Sequence, residues 1–276
     1  MIRYAMSREN DIDIQRRFGG IQRLYGAAGF ERLQRAHVCV IGIGGVGSWA
    51  AEALARSAIG EITLVDLDHV AESNTNRQIQ AVEGNYGKAK VDAMAERVLS
   101  INPLCRVNRV EAFIAPDSLP RLLLDRGYDH LIDCIDSFRV KAALIAFCRR
   151  NRLRVITTGG AGGKRDPLAI RRADLSRTEQ DPLLARTRRL LRREYGFSRN
   201  TRRRFDIPCL YSPEQPVFPD ASGGVCHAGG VGDSGLNCGG YGSVTSVTAA
   251  FGLAAVSYVL ARLAVPAQRC DPVVSE

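Results

Sequence analysis

Residues 37–68 read HVCVIGIGGVGSWAAEALARSAIGEITLVDLD, and this stretch decides the fold. HVCVIG is a short, continuous apolar run rich in β-branched residues, the pattern of a strand buried on both faces of a parallel sheet. It runs directly into Gly42-x-Gly44-x-x-Gly47, after which an alanine-rich segment from about Val46 to Ser57 reads as a helix. EITLVDLD then reads as a second strand ending in the acids Asp66 and Asp68. The whole is one βαβ unit. Glycines in that turn let phosphate oxygens approach backbone N–H groups at a helix N-terminus, where the helix dipole favours anions. Asp66 follows Gly47 by 19 residues, the place from which an acid hydrogen-bonds a ribose hydroxyl. These residues alone leave the nucleotide open among NAD, FAD and ATP.

Outward from this unit, a helix is expected over 88–101, stopped by Asn102-Pro103. Strands at 105–112, 129–135 and 154–160 enclose a helix at 137–151. Strands alternating with helices predict an α/β, Rossmann-like, mostly parallel twisted sheet with helices on both faces. After Gly163 the grammar changes. Residues 164–217 are basic and punctuated by proline, with short candidate strands near Leu168–Ile170 and Cys209–Tyr211, an expected antiparallel extension. Residues 219–242 form a glycine-rich loop carrying Cys226, His227, Asp233 and Cys238, and loops of that length are usually functional. A long helix closes the chain. The expected division is a nucleotide-binding portion over 1–163, with 164–276 packed on the same domain.

Tyr241–Ala261 holds no charged residue and is just long enough to span a bilayer. Its many Ser, Thr, Ala and Gly residues favour a buried core or interface helix; membrane association through 241–261 is the alternative.

Eight cysteines spread along the 276 residues form no compact disulfide framework, and the N-terminus has no secretory signal pattern, which points to the cytoplasm. No C-x-x-C exists, so zinc is not expected. The net charge of +9 is concentrated. Between Arg171 and Arg204 twelve arginines face only Asp174, Glu179, Asp181 and Glu194. Such a cluster is either a solvated helix face or a surface for a polyanion, nucleic acid first.

The residues beyond Asp66 narrow the nucleotide. DLDHVAESNTNRQ (66–78) sets Asn74 and Arg77 just past the strand end, and GNYGKAK (84–90) sets Lys88 and Lys90 near the start of the next helix. Cations beyond the carboxyl end of a sheet neutralise a triphosphate and stabilise departing pyrophosphate; a dehydrogenase has no such need. DCIDS (133–137) adds Asp133, expected inside its strand, and Asp136 at the mouth of the sheet, where a carboxylate can hold Mg²⁺ against phosphate oxygens.

In this order GxGGxG, DxDxVxxSNxNRQ, GxxK and DCIDS resemble the ATP signature of the ubiquitin-activating (E1-like, HesA/MoeB/ThiF-type) adenylating superfamily. RFGGIQRLYG (17–26), NTNRQIQA (74–81), INPLCRV (101–107), KAALIAFCRRN (141–151) and TTGGAGG (157–163) are similar to its tRNA threonylcarbamoyladenosine dehydratase branch, over roughly residues 15–262. The resemblance implies that Gly42, Gly44, Gly45 and Gly47 form the nucleotide turn, Asp66 holds the ribose with Asp68 beside it, and Asn74, Arg77 and Lys90 contact the phosphates. Lys88 could stand in for Lys90, but Lys90 has the family spacing. Asp136 would bind Mg²⁺. The family often forms homodimers that donate an arginine across the interface, here Arg17 or Arg23. The implied reaction is ATP-dependent cyclisation of N6-threonylcarbamoyladenosine at position 37 of tRNA through an acyl-adenylate, with a cysteine desulfurase and its sulfur acceptor as implied partners. Relatives that use a catalytic cysteine make Cys238, then Cys226, the candidates here, although cyclisation needs none. Activation of a small ubiquitin-like sulfur carrier is the alternative, followed by a non-catalytic nucleotide-binding scaffold and an NAD oxidoreductase.

Overall fold

The computed structural model describes residues 12–220, 222–227 and 241–265. Helix α1 (Ile14–Arg35) is capped by the Asp13 side chain and broken at Gly26, whose φ of 74° no helix accommodates. Then come β1 (His37–Ile41), α2 (Gly47–Arg56), β2 (Glu61–Asp66), α3 (Lys90–Ile101), β3 (Arg106–Glu111), α4 (Leu119–Leu123), β4 (His130–Asp133), α5 (Phe138–Arg150) and β5 (Val155–Thr158). The basic region supplies β6 (Arg171–Asp174), α6 (Pro182–Glu194) and β7 (Pro208–Tyr211). A small hairpin, β8 (Phe218–Pro219) and β9 (Val225–Cys226), precedes α7 (Thr245–Leu263).

Seven strands form one sheet in the order β3-β2-β1-β4-β5-β7-β6, parallel except for β6, which runs antiparallel to β7 at the edge. β7 hydrogen-bonds β5, so the region after Gly163 extends the same sheet as the nucleotide unit. From β1 the chain winds outward to β2 and β3, then returns to lay β4 on the other side of β1. This reversal opens a crevice beyond the carboxyl ends of β1 and β4.

Alternation along the strands divides the core into two layers. Val38, Val40, Ile62 and Leu64 pack with α2, α3 and α7; Cys39, Ile41 and Leu131 pack with α4, α5 and α6. Gly252 of α7 lies so close to α2 that an added Cβ would sit 2.5 Å from the Val46 carbonyl oxygen. That closeness explains the small residues of the C-terminal helix. Its residues Val247, Phe251, Ala255, Val256 and Val259 are buried in the core layer, so this apolar stretch serves as a core helix.

Two local expectations change. Around Leu168 the chain forms a 3₁₀ turn (Pro167–Ala169) instead of a strand, because Pro167 has no N–H and Asp166 accepts from Leu168. The strand begins at Arg171. Helix α6 was hidden in the arginine cluster: Asp181 caps it, Pro182 opens it, and Leu183, Leu184, Thr187, Leu190 and Leu191 form its buried stripe.

Asp133 ends β4 fully buried, and Lys141 of α5, also fully buried, donates to it at 2.8 Å while Thr157 donates at 2.6 Å. Lys141→Met leaves that carboxylate buried without its cation, and should lower unfolding free energy by about 3–5 kcal/mol. Adding Asp133→Asn should restore much of it. Urea denaturation measures both, and an unchanged midpoint for the single variant would show that the pair does not hold α5 to the sheet.

Candidate active site

At the carboxyl ends of β1, β2, β4 and β5 lies an open cleft of about 980 Å³. Its floor is the glycine turn. Gly42 has φ 87°, and a Cβ there would meet the Cys134 carbonyl at 3.1–3.2 Å, so strands β1 and β4 can lie edge to edge where they end. Gly47 is the tighter constraint: a Cβ would fall 1.8 Å from the Gly42 carbonyl oxygen. Only glycine lets α2 start against the strand it follows. Gly44 has open space around it, whereas Gly45 is touched by the Arg77 stem and Thr248.

Asp66 fixes this turn from β2. Its carboxylate accepts from the Ile43 N–H at 2.5 Å and from the Asp68 N–H at 2.8 Å. Asp68 in turn holds the Lys90 ammonium at 2.7 Å, and the Lys90 N–H donates to the Asp68 carbonyl. The Lys90 side chain is only 7% exposed although its partner is 73% exposed. The nearly buried ammonium thus lines the cleft with a single, exposed carboxylate as its partner. Asn74 is buried and closes its own 3₁₀ turn by accepting from the Ala71 N–H. Arg77 is half-buried, with its guanidinium on the Ser73 carbonyl and the Asn76 side chain. Its own carbonyl accepts from the Trp49 indole at 3.0 Å and from Thr248, and Thr245 binds the Asn76 carbonyl. Helices α2 and α7 therefore both grip the loop that presents Arg77.

On the β4 side the two aspartates part company. Asp133 is committed to Lys141, while Asp136 is exposed at the cleft and makes no hydrogen bond or ion pair among the described residues. Lys164 and Asp181 also line the cleft, and sequence reasoning missed both as site residues. Lys164 is buried and donates to the carbonyls of Gln180, Ser212 and Glu214; burial lowers its pKa, opposed by Asp181 and Glu214. Burial raises the pKa of Asp181, opposed by the Leu184 and Gly160 N–H groups it accepts. The available signal was Gly159-Gly160 followed by a lysine just beyond a strand end.

Asp66, Asp68, Asn74, Arg77, Lys90 and Asp136 thus meet in one cleft with Gly42, Gly44 and Gly45, while Gly47 sits behind the turn. Lys88 does not join them, being paired with Glu96 at 2.9 Å. Arg17 and Arg23 lie exposed on α1, away from their own chain's cleft, and Arg17 donates to the Ile101 carbonyl. Cys238 lies outside the described residues, and Cys226 belongs to β9. Cys134 lines the cleft, but burial pushes its thiol up to about 12, which leaves little thiolate at neutral pH.

The pattern of the ThiF family matches residues 18–266. The tRNA threonylcarbamoyladenosine dehydratase of Haemophilus influenzae is 50% identical over 250 residues, covering 90% of this chain and 94% of that protein. Its counterpart from Escherichia coli is 48% identical over 258 residues, 92% and 96% of the two chains. A crystal structure of the E. coli dehydratase in complex with ATP matches with a TM-score of 0.80 at 46% identity, covering 90% of this chain and 94% of that chain.

The two lysines separate experimentally. Lys90→Ala should weaken ATP binding about tenfold, some 1.4 kcal/mol, while Lys88→Ala should stay within about twofold. Isothermal titration calorimetry reads both; equal losses would mean that the cleft does not distinguish them.

Proposed function

The chain belongs to the ThiF family, and from that premise we propose that it is an ATP-dependent enzyme that cyclises N6-threonylcarbamoyladenosine at position 37 of tRNA by removing water. The observation that carries this reading is the match to dehydratases along nine-tenths of both chains, joined to a cleft where Asp66, Arg77, Lys90 and Asp136 converge. Activation of a sulfur carrier would use the same adenylating residues, but the relatives matched along nine-tenths of this chain are dehydratases. On this reading residues 1–163 are the nucleotide-binding portion, with 164–276, the basic extension, glycine-rich loop and C-terminal helix, packed on the same domain. A tRNA substrate sets the enzyme in the cytoplasm. The apolar face of α7 is spent on the core, which leaves membrane association out of the reading.

A threonyl carboxylate oxygen attacks the α-phosphorus of ATP, the bond to the bridging oxygen breaks, and pyrophosphate departs. The carbamoyl oxygen then attacks the acyl carbon, the carbamoyl nitrogen releases its proton, and AMP leaves with the former carboxylate oxygen. Ring closure is intramolecular, so orientation does what a protein nucleophile would otherwise do. The turn at Gly42, Gly44, Gly45 and Gly47 receives the nucleotide, and Asp66 orients the ribose. Asn74, Arg77 and Lys90 meet the charge that develops on the phosphates, with Asp68 keeping Lys90 directed at them. Asp136 fits a magnesium site, because it is exposed at the cleft and uncommitted, and a magnesium ion needs only one or two carboxylates beside phosphate oxygens and water. When bound, the ion supplies positive charge to the triphosphate.

A homodimer in which Arg17 or Arg23 reaches the partner's cleft completes the reading; α1 presents both arginines and the 73% exposed Leu24 at the surface. A cysteine desulfurase and its sulfur acceptor remain as proposed partners on the resemblance alone.

The test is incubation with Mg-ATP and tRNA carrying threonylcarbamoyladenosine, followed by mass spectrometry of the nucleosides. Loss of one water, seen only with ATP, is the expected result. Pyrophosphate release only on adding a ubiquitin-like protein would overturn it. Asp136→Asn should cut turnover about a hundredfold or more while leaving the melting temperature unchanged; full activity would remove Asp136 from the metal site. Sedimentation under assay conditions should give a dimer, and a fully active monomer would refute the cross-subunit arginine.

A further inference from the structure

The arginine cluster is not uniform once folded. Arg188 is tied to Thr178, Arg192 to the Ser198 carbonyl and the Phe205 ring, Arg177 to the Arg202 carbonyl, and Arg193 to Glu194. Those side chains serve the fold or are neutralised, whereas the side chains of Arg171, Arg189, Arg199, Arg203 and Arg204 are exposed without such a partner among the described residues. Arg186 shares that freedom but sits against the helix that opens beside the cleft. It is exposed, its guanidinium lies 6.0 Å from the centroid of Phe138, and it has no hydrogen bond or ion pair among the described residues. Arg139, also exposed and without such a partner, lies 5.6 Å from the centroid of the same ring.

Two guanidinium groups at 5.6 and 6.0 Å from one ring centroid concentrate positive charge that the ring's attraction of about 0.5–1 kcal/mol at exposed sites offsets poorly, and a polyanion that meets both offsets it further. Their location supports that reading. Phe138 opens α5 two residues after Asp136, and α6 begins at Asp181 and Pro182, which line the cleft. Arg186 also acts electrostatically on Tyr241, another cleft-lining residue. The pair therefore stands near the N-terminal ends of α5 and α6, beside the cleft that those ends line.

We propose that Arg139 and Arg186, braced on Phe138, clamp the phosphodiester backbone of the tRNA strand that carries the reacting nucleotide. This rests on the tRNA reading above and adds a surface to it. Planar guanidinium groups suit bidentate contact with phosphate. The bent single strand of a loop exposes its phosphates together with its splayed bases. The clamp positions the strand and takes no part in the bond changes.

The test uses the full chain carrying Arg139→Ala and Arg186→Ala together. Binding is measured with tRNA bearing threonylcarbamoyladenosine and with the same tRNA lacking it, over a range of salt. Both tRNAs should bind about tenfold more weakly, and the slope of log affinity against log salt should fall by about 1.4, at roughly 0.7 per lost single-strand phosphate contact. ATP affinity should stay within about twofold, which also shows that the variant is folded. Arg139→Lys combined with Arg186→Lys keeps both positive charges, and this variant should recover most of the salt slope. Arg150→Ala removes the same charge at the far end of α5, about 16 Å from Arg139 along the helix at 1.5 Å per residue, and should cost less than about twofold. Unchanged tRNA affinity in the double alanine variant overturns the proposal. So does a loss confined to the modified tRNA, which would assign the arginines to the threonyl carboxylate, or an equal loss for ATP. If the wild-type protein fails to cyclise the nucleoside, the reaction is misassigned, but binding of the unmodified tRNA still decides the clamp.

Discussion

The missing Cβ of Gly47 is the constraint on which the rest of the site depends. With 1.8 Å between that Cβ position and the Gly42 carbonyl oxygen, no other residue lets α2 begin so close to the end of β1. The close start aims the N-terminus of α2 into the crevice. It also sets where α7 must lie, because Gly252 rests on the backbone at Val46 and Ala50. The N-terminal threonines of α7 then reach the carbonyls of Asn76 and Arg77, and Trp49 of α2 reaches the second of these. Through two close backbone approaches and the side-chain bonds that follow them, a glycine on the first turn fixes an arginine 30 residues further along the chain.

Charge is distributed around that geometry so that the cations stay available. Lys90 is paired with an exposed aspartate, an arrangement that water screens and an incoming phosphate can compete with. The Lys141–Asp133 pair is the opposite case: both groups are fully buried and Thr157 adds a further bond. A buried pair of that kind does not open for a ligand, because separating it strands an uncompensated charge. Two aspartates three residues apart, Asp133 and Asp136, are thereby given separate duties. One joins α5 to the sheet, and the other stays free at the mouth.

Much of this was legible from residue order. The βαβ unit, the parallel strands and the small-residue character of α7 follow from periodicity and glycine placement, which are local signals. The separation of Asp133 from Asp136 was also readable, since one ends an apolar run and the other follows it. Helix α6 was obscured because its arginines dominate the composition, and its leucine stripe only gains meaning once a second face of the sheet exists to receive it. Lys164 was missed for a different reason. Its three carbonyl partners come from Gln180, Ser212 and Glu214, up to 50 residues away, and no local pattern encodes a convergence of that range. The choice between Lys88 and Lys90 was half legible: the family resemblance favoured the second, but only the fold shows the first turned to Glu96.

The edge of the sheet ties the basic extension to the cleft. A sheet ending at β5 would hold the nucleotide turn, Asp66, Lys90 and Asp136, and nothing beyond. Here β7 adds to β5 and β6 adds to β7, which gives α6 a surface on which to bury Leu184 and Leu191. Asp181, the cap of that helix, accepts from the Gly160 N–H in the turn after β5. The same carboxylate therefore starts a basic helix and fixes a wall of the ATP cleft. The extension cannot shift without moving that wall, so the surface that presents Arg186 and the cleft at the ends of the strands are built as one piece.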